Sequence, residues 1–329
     1  MIAETMKAYQ ITGVNTGQVN DVPVPELKDD QSILIKNEAA IICNMTDSHI
    51  FEGIHEPNGP NGWDMPVPFT LGHESSGIVV KKGANVTDVE IGDRVALAGF
   101  FESGSFAEYT MANMGYIKMP VNMNPVEGAL LEMLSAVYQI IETVFVIGNS
   151  VVILGCGAAG SYALKLAKAG GATKIIVSEP VAGKRAYALS QGADFVIDPN
   201  AEDVAAKVKE YTNGEMVDVC LEMSGFPDAL GVMTSLIKRQ GKVGMFGVCP
   251  NPTPINMYDL HMNWSAIFSA GYHRGYTRHA LEKALSLVAA GVVDINDMIT
   301  HEIKLEDLTD SLKTILKGEE NIRKMVVKF

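Results

Sequence analysis

Residues Val151 to Glu179 read VVILGCGAAGSYALKLAKAGGATKIIVSE, and this stretch decides the fold. Val151 to Leu154 form a short apolar run of the kind a strand buried on both faces needs. Gly155, Gly157 and Gly160 follow in G-x-G-x-x-G spacing, with Ala158 and Ala159 opening a helical pattern carried by Ala163, Leu164, Leu166 and Ala167. A second apolar run, Lys174 to Ser178, ends at Glu179. The first glycine permits a tight turn, the second lets a pyrophosphate approach the backbone, and the third lets helix and strand pack closely. A helix N-terminus offers that phosphate free N–H groups and partial positive charge. An acid at the end of the second strand accepts hydrogen bonds from the adenosine ribose. The pattern predicts a dinucleotide site built from Gly155, Gly157, Ala158, Ala159, Gly160 and Glu179. The plain alternative is a glycine-rich turn in another α/β protein. Glu179 would repel a ribose 2′-phosphate, which favours NAD over NADP, while Lys184 and Arg185 just beyond it partly offset that preference.

Outward from this unit the chain alternates strand and helix. Apolar runs at 151–154, 174–178, 194–197, 217–221 and 242–246 predict a parallel, doubly wound sheet with right-handed crossovers. Ser224 and Gly225 follow the fourth run, and Gly247 and Val248 the fifth. Ligands of such sheets bind outside the carboxyl ends of the strands, so these positions flank the nucleotide. The run Ala266 to Ala270 reads as an edge strand open to a partner. Residues 1 to about 120 differ. Short runs at Ile33–Ile35, Ala40–Ile42, Gly77–Val80, Arg94–Leu97 and Phe106–Met111 predict a compact β-rich domain. The loop from Pro57 to Pro68, with Trp63, either lines a pocket or is ordinary surface. Pro125 to Val146 and Thr277 to Ala290 read as helices, and the last run, Lys324 to Phe329, returns to the first domain.

A formal net charge of −13 over 329 residues argues against nucleic acid or anionic membrane as a partner. No apolar run has the length of a membrane span, and the N-terminus lacks a basic segment followed by an apolar core. Cys43, Cys156, Cys220 and Cys249 are scattered, which excludes a disulfide framework and fits a reducing cytoplasm.

Three polar groups stand out in the first part: CNMTDSH from Cys43 to His49, GHE from Gly72 to Glu74, and Glu132 inside the apolar GALLEMLSA. A carboxylate in such surroundings is costly to bury unless a cation or donor meets it. Cysteine, histidine and carboxylate are all zinc ligands, and a catalytic zinc keeps three of them and one open position. Taken singly, Cys43 also reads as a small core residue, His73 as a satisfied core histidine and Glu132 as a surface acid.

GHESSGIV (72–79), GDRVAL (92–97), GCGAAG (155–160) and NIRKMVVKF (321–329) unite them. Through these motifs, in this order over nearly the whole chain, the sequence resembles the medium-chain dehydrogenase/reductase superfamily, the zinc-dependent alcohol and polyol dehydrogenases. The resemblance implies a GroES-like β-rich catalytic domain of residues 1–133 and 272–329 with a Rossmann domain of residues 134–271 inserted. His73 matches the family's zinc-binding histidine, Glu74 its neighbouring carboxylate, and Glu132 the third ligand as sorbitol- and threonine-dehydrogenase-like members carry it. Thr46 matches the residue that takes the substrate hydroxyl proton, His49 the histidine that passes it on, and Arg323 an arginine on the cofactor pyrophosphate. Two residues, Asn44 and Met45, separate Cys43 from Thr46 where the family has one. If Thr46 keeps its register, Asn44 falls at the first ligand position. A local bulge restores Cys43, whose thiolate binds zinc far better than an amide. The segment after Leu97 has no cysteine lobe, so no structural zinc is expected. Members commonly start near MKA, so Met1 to Thr5 read as a disordered extension.

The resemblance thus implies an NAD- and zinc-dependent oxidoreductase of a secondary alcohol or polyol, forming a homodimer or homotetramer. A metal-free reductase of an activated C=C bond on the same fold is the alternative, and a nucleotide-binding protein without turnover the remote one. The zinc set points to polar substrates, whereas Trp63, Phe100, Phe101 and Met133 point to apolar ones.

Overall fold

The computed structural model describes residues 2–53, 67–99, 103–249, 252–269, 274–318 and 322–329, with side chains of 274–277 set aside. Most of the Pro57–Pro68 loop with Trp63, as well as Phe100, Phe101, Ala270 and Asn321, lie outside the described residues. The chain packs into two units: Met1–Met133 with His273–Ala289 and Ile295–Phe329, and Leu134–Tyr272 with Ala290–Asp294.

The first unit opens with β1 (Thr5–Gly13) and β2 (Thr16–Pro23), an antiparallel hairpin, followed by β3 (Ile33–Ile41) and the short helix α1 (Thr46–Phe51). Thr5 therefore lies in a strand, and the Glu4 carbonyl accepts from Val24 N at 3.0 Å. The extension expected over Met1 to Thr5 is thus shorter than its sequence suggested, because the hairpin partner reaches back to residue 4. β4 (Phe69–Thr70), β5 (Glu74–Lys82), β6 (Arg94–Ala98), β7 (Tyr109–Ala112) and β8 (Tyr116–Lys118) follow. The runs Ile33–Ile35 and Ala40–Ile42 are joined by one strand that ends at Ile41, with Lys36 exposed and Glu38 skipped at a register shift in the ladder to β5. Helix α2 (Pro125–Val144) crosses from the first unit to the second.

The second unit runs β9 (Ser150–Leu154), α3 (Ala158–Ala169), β10 (Lys174–Ser178), α4 (Ala182–Ser190), β11 (Phe195–Ile197), α5 (Val204–Tyr211), β12 (Val217–Glu222), α6 (Pro227–Val232), β13 (Ile237–Met245), α7 (Met257–Met262) and β14 (Ala266–Ser269). Its strands pair in parallel in the order β11-β10-β9-β12-β13-β14, the doubly wound dinucleotide order with the reversal between β9 and its two neighbours. β13 starts five residues before the predicted run because its polar opening, Ile237 to Gly241, carries no apolar signal. Val152, Leu154, Ile176, Cys220 and Val243 fill one buried layer beneath it.

The chain then closes the first unit with α8 (Arg274–Ala289), β15 (Ile299–Ile303), α9 (Leu308–Leu316) and β16 (Lys324–Lys328). β16 lies antiparallel to β3, with Val326 opposite Ile41, so the last residues complete the sheet that the first residues began. The sheet order is β15-β16-β3-β5-β6-β8, with β7 on β3.

Candidate functional site

The polar constellation is assembled where β3, β5 and β16 meet. Ile41, at the end of β3, faces Glu74 at the start of β5, and Ile42 N donates to the Met325 carbonyl of β16 at 3.1 Å. Cys43 lies two residues past β3, His73 one residue before β5, and Lys324 opens β16. These strand ends bring together residues up to 281 positions apart, Cys43 and Lys324 being the extremes (324 − 43).

The turn into α1 bears on the register left open by the sequence. Asp47 N donates to the Cys43 carbonyl at 3.1 Å, and Asp47 Oδ2 accepts from Cys43 N at 2.8 Å, so Cys43 and Asp47 clasp the extra residue between them. Donor atoms of Cys43, His73 and Glu74 all lie within 4.8 Å of one another, and all three residues are buried. Asn44 points elsewhere: its Nδ2 donates to the Arg323 carbonyl at 2.9 Å. Among the described residues Glu132 stands outside that mutual set, yet it is 2% exposed and its carboxyl interacts with Glu74, His73, Lys324 and Asp47.

Burial and the neighbouring Glu74 push the Glu132 carboxyl up to about 7, partly countered by His73 and Lys324. Burial alone would lower the His73 imidazole, but Asp47, whose Oδ1 lies 3.4 Å from His73 Nδ1, and Cys43 outweigh it and hold His73 well above its ordinary value. Lys324 is fully buried and donates to Glu74 Oε1 at 2.6 Å, Glu74 Oε2 at 2.8 Å and the Ile42 carbonyl at 3.2 Å. Burial disfavours its charge, and Glu74 and Cys43 more than offset this. Four groups able to carry negative charge thus converge on two able to carry positive charge. A buried cluster of that balance calls for a further cation. The donors fit zinc: thiolate, imidazole and carboxylate are its ligands, and a tetrahedral ion sets its donors roughly 3.5 Å apart.

Thr46 is the first residue of α1, and His49, one turn on, is half-buried, its imidazole lowered by desolvation. Glu74, expected beside the metal, is tied by both oxygens to Lys324. Arg323 donates through Nη2 to the Asp297 carbonyl at 2.7 Å. Sequence reading missed Lys324, although a lysine opening the otherwise apolar run KMVV was a signal that it meets a buried acid.

In the second unit Gly155 turns at φ +89° and donates to the Ser178 carbonyl, and Gly157 caps α3. A Cβ on Gly157 would project into open space, whereas one on Gly160 would collide with the Gly155 carbonyl. That leaves a bare backbone cradle at the N-terminus of α3, the form a pyrophosphate needs. Glu179 is 4% exposed and accepts from Cys156 N at 2.7 Å and Val181 N at 2.9 Å, so it joins the turns after β9 and β10. Arg185 is taken up by Asp198 at 2.9 Å and by the carbonyls of Glu179 and Pro180. Lys184 is partly exposed on α4, and Val248 is exposed beyond β13. Ser224 and Gly247 flank Glu222, at the ends of β12 and β13.

Comparison with known proteins matches residues 29–121 to the alcohol dehydrogenase GroES-like domain and residues 158–290 to the zinc-binding dehydrogenase domain. The L-threonine 3-dehydrogenase of Pyrococcus furiosus is 33% identical over 86% of each chain. The sorbitol dehydrogenase of Bacillus subtilis is 28% identical over 99% of this chain and 98% of its own. A protein of Sinorhizobium meliloti, solved with NADP bound, superposes with a TM-score of 0.88 at 28% identity, covering 99% of this chain and 100% of its own.

Proposed function

The chain belongs to the zinc-dependent alcohol and polyol dehydrogenase family, and from that premise we propose that it oxidises a secondary alcohol or polyol with NAD, one zinc being held by Cys43, His73 and Glu132. The buried, negatively biased cluster around Cys43 and His73 carries this reading. Bound there, zinc would supply Lewis acidity, and a nicotinamide cofactor would supply the capacity to accept hydride.

The chain's own residues do the rest. Asp47 fixes the His73 ring through Nδ1, as an outer-shell carboxylate orients a ligand histidine. Lys324 neutralises Glu74 and holds it by both oxygens, which leaves Glu132 as the carboxylate ligand. Thr46 Oγ1 accepts the substrate hydroxyl proton, and His49, kept neutral by desolvation, takes it on to solvent. Gly155, Gly157, Ala158, Ala159 and Gly160 cradle the pyrophosphate, and Ser224, Gly247 and Val248 flank the nicotinamide half; Arg323 is assigned to the cofactor phosphates by the family resemblance alone. Glu179 and the engagement of Arg185 favour NAD, with Lys184 the remaining cation toward a 2′-phosphate.

We assign residues 1–133 and 272–329 to the catalytic domain and 134–271 to the Rossmann domain, with Ala290–Asp294 packing in the second unit. The stretch after Leu97 supports the absence of a structural zinc, since the chain has no cysteine between Cys43 and Cys156. The edge strand β14, with Met262 and Trp264 exposed before it, supports a homodimer. Four free cysteines support a cytoplasmic setting, and among the described residues no helix is long and apolar enough to cross a membrane. The test is an NAD- and NADP-linked screen of the zinc-loaded enzyme with L-threonine, sorbitol and 2,3-butanediol as first substrates. Turnover of one of these classes, abolished by chelation and restored by zinc, is the expected result. Turnover that ignores chelation contradicts it.

A further inference from the structure

Glu222 is the last residue of β12, and nothing in the mechanism above uses it. It is completely buried. Its Oε1 accepts three hydrogen bonds, from Ser224 N at 2.8 Å, Ser224 Oγ at 2.5 Å and Gly225 N at 3.0 Å. Its main-chain carbonyl accepts two more, from Phe246 N at 2.8 Å and Gly247 N at 3.1 Å. One residue thereby holds the turn after its own strand and the turn after β13. Its Oε2 is buried without a hydrogen-bond partner among the described residues and faces Gly247, where a Cβ would stand 2.5 Å from it. The same pile includes the turn after β9, since a Cβ on Gly155 would meet Ser224 Cβ at 2.9 Å.

The sheet order says which half of a dinucleotide these turns serve. β10 and its acid Glu179 lie on one side of β9, and β12 and β13 on the other. A dinucleotide lies across the reversal, its adenosine toward β10 and its second nucleotide over β12 and β13. We propose that Glu222 is a positioning residue for the nicotinamide half of the cofactor, a role that rests on the dehydrogenase reading. Three donors converging on one oxygen suit a carboxylate acceptor. A glutamine oxygen is a weaker acceptor than a carboxylate oxygen for the same three donors, and its amide would set an NH₂ against Gly247. The Ser224–Gly225 turn then loses its carboxylate anchor and the Phe246–Gly247 turn, still held by the main-chain carbonyl, is crowded at Gly247, while the Gly157–Glu179 side keeps its own hydrogen bonds.

The test compares affinities of NADH and AMP for the wild type, Glu222→Gln and Ser224→Ala by calorimetry. Loss of charge-assisted bonds predicts NADH binding weaker by about tenfold in Glu222→Gln and about threefold in Ser224→Ala. AMP, which touches only the other side, keeps its affinity within about twofold in both. A general structural role predicts equal losses for both nucleotides. Equal losses, or no loss of NADH affinity in a Glu222→Gln protein with wild-type circular dichroism, overturn the proposal. Should Glu222→Gln fail to fold, Ser224→Ala carries the same comparison, and an unchanged NADH affinity there overturns it. A wild type that binds neither nucleotide overturns the dehydrogenase reading together with this one.

Discussion

The proposed nucleotide turn and the candidate metal cluster are built in opposite ways. The turn after β9 is local: Gly155, Gly157, Gly160 and Glu179 lie within one βαβ unit, and their contacts are mostly to backbone. The cluster is assembled from β3, α1, β5, α2 and β16, and it is held by side chains that neutralise one another. A local backbone cradle is fixed by glycine sterics, whereas the cluster depends on charge balance in a buried setting. Substitutions should therefore separate the two functions cleanly.

The largest effect is expected at His73. Removing a proposed zinc ligand should take away several kcal/mol of transition-state stabilisation, so His73→Ala should lower kcat by roughly a thousandfold while NADH affinity stays within about twofold. Steady-state kinetics beside a fluorescence titration check this, and a parallel loss of NADH binding would erase the separation. Next comes Lys324→Met, which strands the fully buried Glu74 beside Glu132. Breaking a buried pair on one side costs about 3–5 kcal/mol. The metal-free variant should melt roughly 10 °C lower by calorimetry, and Glu74→Gln added to it should recover part of the loss. An unchanged melting temperature would show that the pair does not carry the charge balance.

Gly160→Ala acts in the other region. Its Cβ would strike the Gly155 carbonyl, and overpacking of this kind costs about 1–3 kcal/mol. Nucleotide affinity should fall with it while zinc content per chain is unchanged. The smallest effect is at Glu179→Gln, which gives up charge-assisted acceptance from Cys156 N and Val181 N. NAD affinity should weaken by about tenfold, and NADP should lose less, narrowing the preference. Equal losses for the two cofactors would remove Glu179 as the discriminator.

The same contrast explains what the sequence disclosed. The strand, turn, helix and acid of the nucleotide unit were legible because apolar periodicity and glycine spacing are local signals. β1 and β2 were not recognised as a hairpin, because TGQVNDVP in β2 is largely exposed and shows no apolar alternation. In the cluster, spacing could nominate Cys43, His73 and Glu132 but not join them, and resemblance did so. The clasp of Cys43 with Asp47, which supports the proposed choice of Cys43 over Asn44, is a side-chain contact invisible to periodicity. The partner of Glu74 lay 250 residues away, at Lys324, and only the antiparallel register of β16 on β3 brings it there.

The central claim is a zinc held by Cys43 and His73 inside that cluster. Its most direct test is metal content per chain, measured on wild type and Cys43→Ala purified side by side without chelator. The account predicts about one zinc in the wild type and little or none in the variant, with both still binding NADH. Zinc retained at full stoichiometry in Cys43→Ala, or a wild type that takes up none when it is supplied, would contradict it.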